Sequence, residues 1–271
     1  MRDGHTGAAL DWNEVLARLA AADVVLIGET HDDPHAHAFE QAVAQDLCAL
    51  WPRCAVSLEM LERNEQPTVD AWLRGEIDTE EMIDQTGSAN WAGEGSWVPW
   101  YQPILDAARD NGGRVVAANA PRPYVRCARE QGLEALEQLP PDEALLFDLP
   151  TAALASAAYR ERFRQIMHSM ARAAGNEPAS ENDIDQMLRS QATWDATMAA
   201  SIARARAMGA SVVIHSVGSF HVSHEGGTVL ELRQRRPSDR IVVVVVERAG
   251  AATAAGDVPL ADIVVSSPLA E

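Results

Sequence analysis

Six short apolar runs separated by helix-like segments constrain this chain most, because parallel strands need crossover connections and helices usually supply them. The runs are Asp23 to Gly28, Cys54 to Leu58, Arg114 to Ala118, Ala144 to Leu149, Ser211 to Val217 and Arg240 to Glu247, with Leu260 to Val265 a candidate edge strand. The alternation predicts an α/β fold, a mostly parallel central sheet covered by helices on both faces. Trp12 to Ala21 reads as a short first helix, and Asp33-Pro34 supplies an N-cap and a first-turn proline for a second that runs to about Leu50. Two stretches, about 62–100 and 151–208, read as helical insertions within a single domain spanning 1–271. The second has the pattern of a helical hairpin broken around Gly175-Asn176-Glu177-Pro178. Its arms carry stripes of Tyr159, Phe163, Ile166, Met167 and Met170, and of Ile184, Met187, Gln191, Trp194, Met198 and Ile202, a pattern of helix packing.

With 271 residues, 47% of them apolar, the chain can bury a core without staples. Cys48, Cys54 and Cys127 are odd in number and lack paired ligand spacing, so they are expected to be unpaired and packed as apolar groups, which fits a reducing compartment. A net charge of −18 repels phosphate backbones and anionic lipid, which excludes nucleic acid as a partner. All 22 basic residues are arginine, and the absence of lysine removes internal aldimine chemistry and the P-loop amine. Neither a Gly-x-Ser-x-Gly elbow nor a Gly-x-Gly-x-x-Gly turn is present. No stretch is long and uncharged enough to span a bilayer, and the first residues show no signal core or lipobox. The expected location is cytoplasmic, although a removed leader would leave no trace.

The chemistry concentrates in an echo: Gly28-Glu29-Thr30-His31 and Gly218-Ser219-Phe220-His221 each follow a strand-like run. In a parallel sheet the carboxyl ends of strands open on one edge, so both imidazoles are aimed at one crevice. Glu29 beside His31 can ligate a metal, orient the ring or raise its pKa. Glu59 and Asn119 close two further runs at ligand-facing positions, Glu59 as ligand or general base, or simply as half of a salt bridge. Arg122, Arg126 and Arg129 are spaced as a basic stripe on one helix. His35 and His37 fall in a first helical turn, where the dipole is expected to keep imidazole neutral. His215 reads as a core residue, and His5 and His224 as surface. One function these residues support is an esterase or metal-dependent hydrolase using Glu29, His31, Glu59 and His221, with Arg122 or Asn119 on an oxyanion. A divalent metal ion at Glu29, His31 and His221 is the alternative cofactor.

Further segments occur in one order with the echo: Asp32-Asp33-Pro34, Leu58-Glu59-Met60 with Gln66, Trp100-Tyr101-Gln102-Pro103, Asn119-Ala120-Pro121-Arg122, and Gln191 with Asp195 and Met198-Ala199. From about residue 22 to 232 the chain resembles the ChaN-type haem-binding uptake proteins of the Tiki superfamily, whose relatives include erythromycin esterases and the Tiki metalloproteases. The resemblance implies haem or another iron porphyrin as ligand, a role in haem or iron acquisition or handling, a helical subdomain clasping the porphyrin, and iron held by a tyrosinate. In some members that site lies between two subunits, which implies a homodimer. Tyr159 is the implied iron ligand, set among arginines that pair propionates and lower the phenol's pKa, with Arg162 and Arg122 as cofactor-binding residues. His168 is the second candidate ligand, half a turn around the same helix. The chain departs from the family at Ala36-His37, where His-His is usual, and in lacking the lipoprotein leader of exported members. Haem binding is the leading expectation, and whether the chain is an enzyme stays open.

Overall fold

The computed structural model describes residues 1–248 and 258–268. Its strands are β1 (Arg2–Asp3), β2 (Val24–Glu29), β3 (Ala55–Glu62), β4 (Arg114–Asn119), β5 (Val213–Gly218), β6 (Ile241–Arg248) and β7 (Ile263–Ser267). They form one sheet in the order β1-β7-β6-β2-β5-β3-β4, parallel throughout except for β1 against β7. The first five helices are α1 (Trp12–Ala20), α2 (Pro34–Leu50), α3 (Gln66–Leu73), α4 (Thr79–Thr86) and α5 (Gln102–Asp110). The others are α6 (Arg122–Gln131), α7 (Leu133–Glu137), α8 (Ala157–Ala173), α9 (Glu181–Ala207) and α10 (Gly227–Arg235).

The expected α/β architecture is present, and strand alternation explains why two layers of helix are needed. Along β2, Val25 and Ile27 enter a core with Leu19, Val43, Leu47, Ile104 and Trp97. Val24 and Leu26 enter the opposite core with Met198, Ile202, Val229 and Leu232. Each such aliphatic side chain contributes about 1.5–3 kcal/mol relative to exposure. Helix ends follow their local chemistry. Asp11 and Glu14 form a reciprocal capping box on α1, Asp33 accepts from the His35 amide ahead of Pro34 on α2, and Ser180 with Asp183 does the same on α9.

Three expectations need correction. Ala144 to Leu149 is no strand: a 3-10 turn covers Glu143–Leu145, Leu145 is 72% exposed, and Phe147 plugs against Tyr124. Cys48 and Cys54 are joined in a disulfide that ties the last turn of α2 to the start of β3, and only Cys127 is free. On α8, Tyr159 and Phe163 are buried and Met167 packs partly buried against the same cluster, but Ile166 and Met170 are exposed, so the stripe packs through Met167 and not along its whole length. The tail strand is present as β7, but β1 lies outside it as the edge.

Topology positions the site. From β2 the chain crosses to β3 on one side, and from β5 it crosses to β6 on the other. The adjoining carboxyl ends of β2 and β5 therefore open a crevice at a topological switch point.

Candidate functional site

The two Gly-x-x-His turns interlock across that crevice. Register places Gly28 beside Val217 and Glu29 beside Gly218. A Cβ on Gly28 would lie 2.7 Å from a Val222 methyl and 2.9 Å from the Ser219 Cα, inside the second turn. A Cβ on Gly218 would lie 3.0 Å from the Nε2 of His31, in the first. Each glycine therefore makes room for the other motif, a close-approach role.

His31 and His221 face this space with their Nδ1 atoms held by carboxylates. His31 Nδ1 lies 2.7 Å from Glu29 Oε1, and the Trp91 ring packs edge-on against the imidazole. His221 Nδ1 lies 2.8 Å from Asp195 Oδ1, and its Nε2 is 3.7 Å from Glu59 Oε1. Glu59 is fixed from behind, since its Oε2 accepts the Gly218 amide at 2.6 Å and its carbonyl accepts the Asn119 amide group at 3.0 Å. The crevice opens at His31, whose side chain is 37% exposed. A cavity of about 200 Å³ lies alongside, lined by Glu59, Glu62, Trp91, Asn119, Arg122 and Trp194.

Glu29 is the buried hub. Its Oε1 also accepts the Tyr101 hydroxyl at 3.0 Å, and its Oε2 lies 3.0 Å from His37 Nδ1. The Tyr101 hydroxyl is delivered by a single π-helical turn, Trp97–Tyr101, at the head of α5. His37 reaches Glu40 at 3.2 Å through Nδ1 and donates to the His31 carbonyl at 3.0 Å through Nε2, while its ring stacks on Trp100. Burial raises the Glu29 carboxyl, but hydrogen bonds from His31 and His37 outweigh it and hold it at about 2. Burial lowers His37, and its two glutamates reverse that to about 10. The expected neutral imidazole at this helix start is therefore an imidazolium, because two buried acceptors outweigh the dipole. Burial and the neighbouring Glu29 charge push Glu40 well above the carboxylate range.

The second histidine has a similar arrangement. Asp195 is fully buried on α9 and accepts from His221, from Thr228 at 2.7 Å and from the Tyr159 hydroxyl at 2.6 Å. Burial lowers His221, and the Asp195 and Glu59 charges raise it to about 9. His31 is likewise raised, burial being outweighed by Glu29 and Glu59. At about 9, His221 carries a proton at neutral pH, and the carboxylates beside His31 shift it in the same direction. Burial, then the neighbouring His221 charge, holds His215 at about 3, and it sits as expected in the core against Ser57.

Glu29, His31, Glu59 and His221 thus form one site, whereas Tyr159, His168, Arg122 and Arg162 are not gathered into another. Tyr159 is 1% exposed and donates to Asp195; burial and that carboxylate raise its phenol well above the ordinary range. Burial thus outweighs the lowering by Arg162 on which a tyrosinate would draw. His168 is half-buried on α8. Arg122 lines the 200 Å³ cavity, while Arg162 lines another of about 650 Å³ between α8, the Ser219–His224 segment and the end of β6. His224, expected on the surface, is half-buried in the wall of that larger cavity. Of the further residues at the site, Tyr101 and Asp195 lie in segments that carry the family resemblance without an assigned role, and His37 in the first-turn histidine pair; Glu40 was missed, its i, i+3 spacing from His37 being the available signal.

The family described as haem-binding uptake, Tiki superfamily, ChaN matches residues 15–232. The structure titled cofacial heme binding to ChaN of Campylobacter jejuni is 20% identical, with a TM-score of 0.71, covering 97% of this chain and 94% of that one. The type III effector HopBA1 is 13% identical with a TM-score of 0.53, over 95% and 93%. An erythromycin esterase, EreC in an open conformation, is 15% identical with a TM-score of 0.49, over 93% and 78%. No curated protein matches the chain.

Proposed function

Because the chain belongs to the ChaN family of haem-binding uptake proteins in the Tiki superfamily, we propose that it binds haem or a related iron porphyrin and serves in iron acquisition or handling. The family match carries this reading, since it spans most of the sheet and the whole of α8 and α9. The residues present fit the group. The cavity of about 650 Å³ has the size of a cofactor pocket, with apolar walls from Ile166, Phe220 and Leu260. Arg162, its Nη1 held by the His224 carbonyl, and Arg248, paired with Asp32, bring positive charge to this wall in an otherwise acidic protein. The iron porphyrin would bring redox-active metal chemistry; the chain contributes burial, charge pairing and restricted water access. Homodimerisation is part of the proposal and rests on the resemblance alone. We place the protein in an oxidising compartment on the strength of the Cys48–Cys54 disulfide, in preference to the cytoplasm expected from sequence. Titration of the purified chain with hemin tests the reading: a saturable Soret shift at one equivalent per chain is expected, and a spectrum that only sums free hemin and protein overturns it.

A second reading is favoured by one observation, the pair of carboxylate-backed histidines flanking Glu59. In a hydrolase, His31 would protonate a leaving group while Arg122 steadied an anion at the cavity rim. A divalent ion would instead take the Nε2 atoms once both rings lost their protons. Ester and peptide substrates screened with and without divalent metals test this, with turnover abolished in a folded His31→Ala variant as the supporting result.

A further inference from the structure

Behind the crevice histidines, Glu29, His37 and Glu40 form a cluster whose donors do not match its acceptors. One ligand-capable atom from each falls within 4.8 Å of the others, and the three residues are 1%, 2% and 0% exposed. Both carboxylates converge on a single nitrogen, with Glu29 Oε2 at 3.0 Å and Glu40 Oε2 at 3.2 Å from His37 Nδ1. That nitrogen carries at most one proton, and the proton on Nε2 is already given to the His31 carbonyl at 3.0 Å. One N–H cannot serve two carboxylates, and Glu29 Oε2 and Glu40 Oε1 are left buried without an aligned donor. Leaving such oxygens unmet away from water is costly.

A metal ion would meet all of them. Bonds of about 2.0–2.1 Å to nitrogen and oxygen in a tetrahedron put neighbouring ligand atoms about 3.3 Å apart, close to the 3.0 and 3.2 Å found around Nδ1. A backbone carbonyl behind Nε2 is the usual outer partner of a ligating imidazole, and here it fixes the tautomer that leaves Nδ1 to the metal. Glu29 is oriented in turn by the Tyr101 hydroxyl, 3.0 Å from its Oε1. Trp100 stacks on the His37 ring at 4.8 Å and Tyr101 packs edge-on against it, so aromatic rings close the cluster to water, as in structural rather than catalytic metal sites. Charge balances as well. Burial, then the Glu29 charge, keeps a proton on Glu40, and His37 is an imidazolium, so a divalent ion replaces two protons with no change in buried charge. One imidazole with two carboxylates suits zinc, manganese or ferrous iron.

We infer that Glu29, His37 Nδ1 and Glu40 form a structural site for a divalent transition-metal ion, which pins the first turns of α2 to the end of β2 and so fixes the segment that carries His31. The site is separate from the Nε2 atoms of His31 and His221, and it stands whether or not the chain binds haem. The full chain, stripped with a chelator and titrated with Zn²⁺ by calorimetry, should take up one ion and release two protons, counted from the heats in buffers of different ionisation enthalpy. Glu40→Gln keeps the shape of the side chain and should bind Zn²⁺ at least about tenfold more weakly. His221→Asn, which removes a crevice imidazole, should bind like the unsubstituted chain. Absence of saturable Zn²⁺ binding, undiminished affinity in Glu40→Gln, or loss of the ion in His221→Asn would each overturn the assignment. If Glu40→Gln does not fold, X-ray absorption at the zinc edge of the loaded unsubstituted chain decides: one imidazole per zinc among oxygen ligands supports the site, whereas two imidazoles or any sulfur removes it.

Discussion

Replacing Asp195 with asparagine should change the pH dependence of stability as well as its size. Asp195 is buried and holds the His221 imidazolium, together with Glu59, against the cost of burial. In the folded chain His221 titrates at about 9, against 6.5 when free. A base whose pKa is raised by folding contributes its full stabilisation below the unfolded value, near pH 6.5, and loses it as pH rises through about 9. The interval corresponds to about 3 kcal/mol. Asparagine keeps the shape and can still partner Tyr159 and Thr228, but leaves a buried imidazolium facing only Glu59 at 3.7 Å. The expected deficit of Asp195→Asn is about 3 kcal/mol at pH 6.5, shrinking to about 1 kcal/mol at pH 10, where His221 is neutral in both proteins. Urea unfolding followed by circular dichroism at four pH values, with unchanged m, measures this directly. Titrations elsewhere in the molecule cancel in the difference. A deficit that stays constant from pH 6.5 to pH 10 would refute the argument, because it would show that His221 does not draw its charge from Asp195.

Tyr159→Phe should cost about 1 kcal/mol through the lost bond to Asp195 and leave the hemin Soret band where it was; a shifted band would restore the tyrosinate. Gly28→Ala should destabilise by about 1–3 kcal/mol, read from the urea midpoint, because the methyl group would press on the Ser219 backbone; an unchanged midpoint would mean the turns do not interlock. Thiol titration of the denatured chain should count one free cysteine before reduction and three after, and breaking the short Cys48–Cys54 loop should cost about 2 kcal/mol.

Five of the six apolar runs became sheet strands because each is flanked by helical signals and rich in β-branched residues, as at Ile241–Arg248. Ala144 to Leu149 has similar hydropathy, but its Phe147 serves a local cluster with Val125 and Leu136 instead of the sheet. Glu29, His31, Glu59 and His221 were legible because parallel topology sends strand ends to one place. Their charge states were not legible, since those depend on partners such as Glu40 and Asp195 brought from other elements. The same blindness explains Tyr159: periodicity on α8 indicated a buried ring, but the carboxylate that sets its proton lies 36 residues away. Cys48 and Cys54 follow suit, because a helix end and a strand start become neighbours only after α2 has docked on the sheet.

The mutual nesting of Gly28 under Ser219 and of Gly218 under His31 ties together segments from the two ends of the chain. Neither half can display its imidazole correctly alone, so a fragment cut between β4 and α9 would lack a working crevice however well it folded. Any change in length within one turn would have to be answered in the other, which makes the pair behave as a single key cut from two pieces of metal.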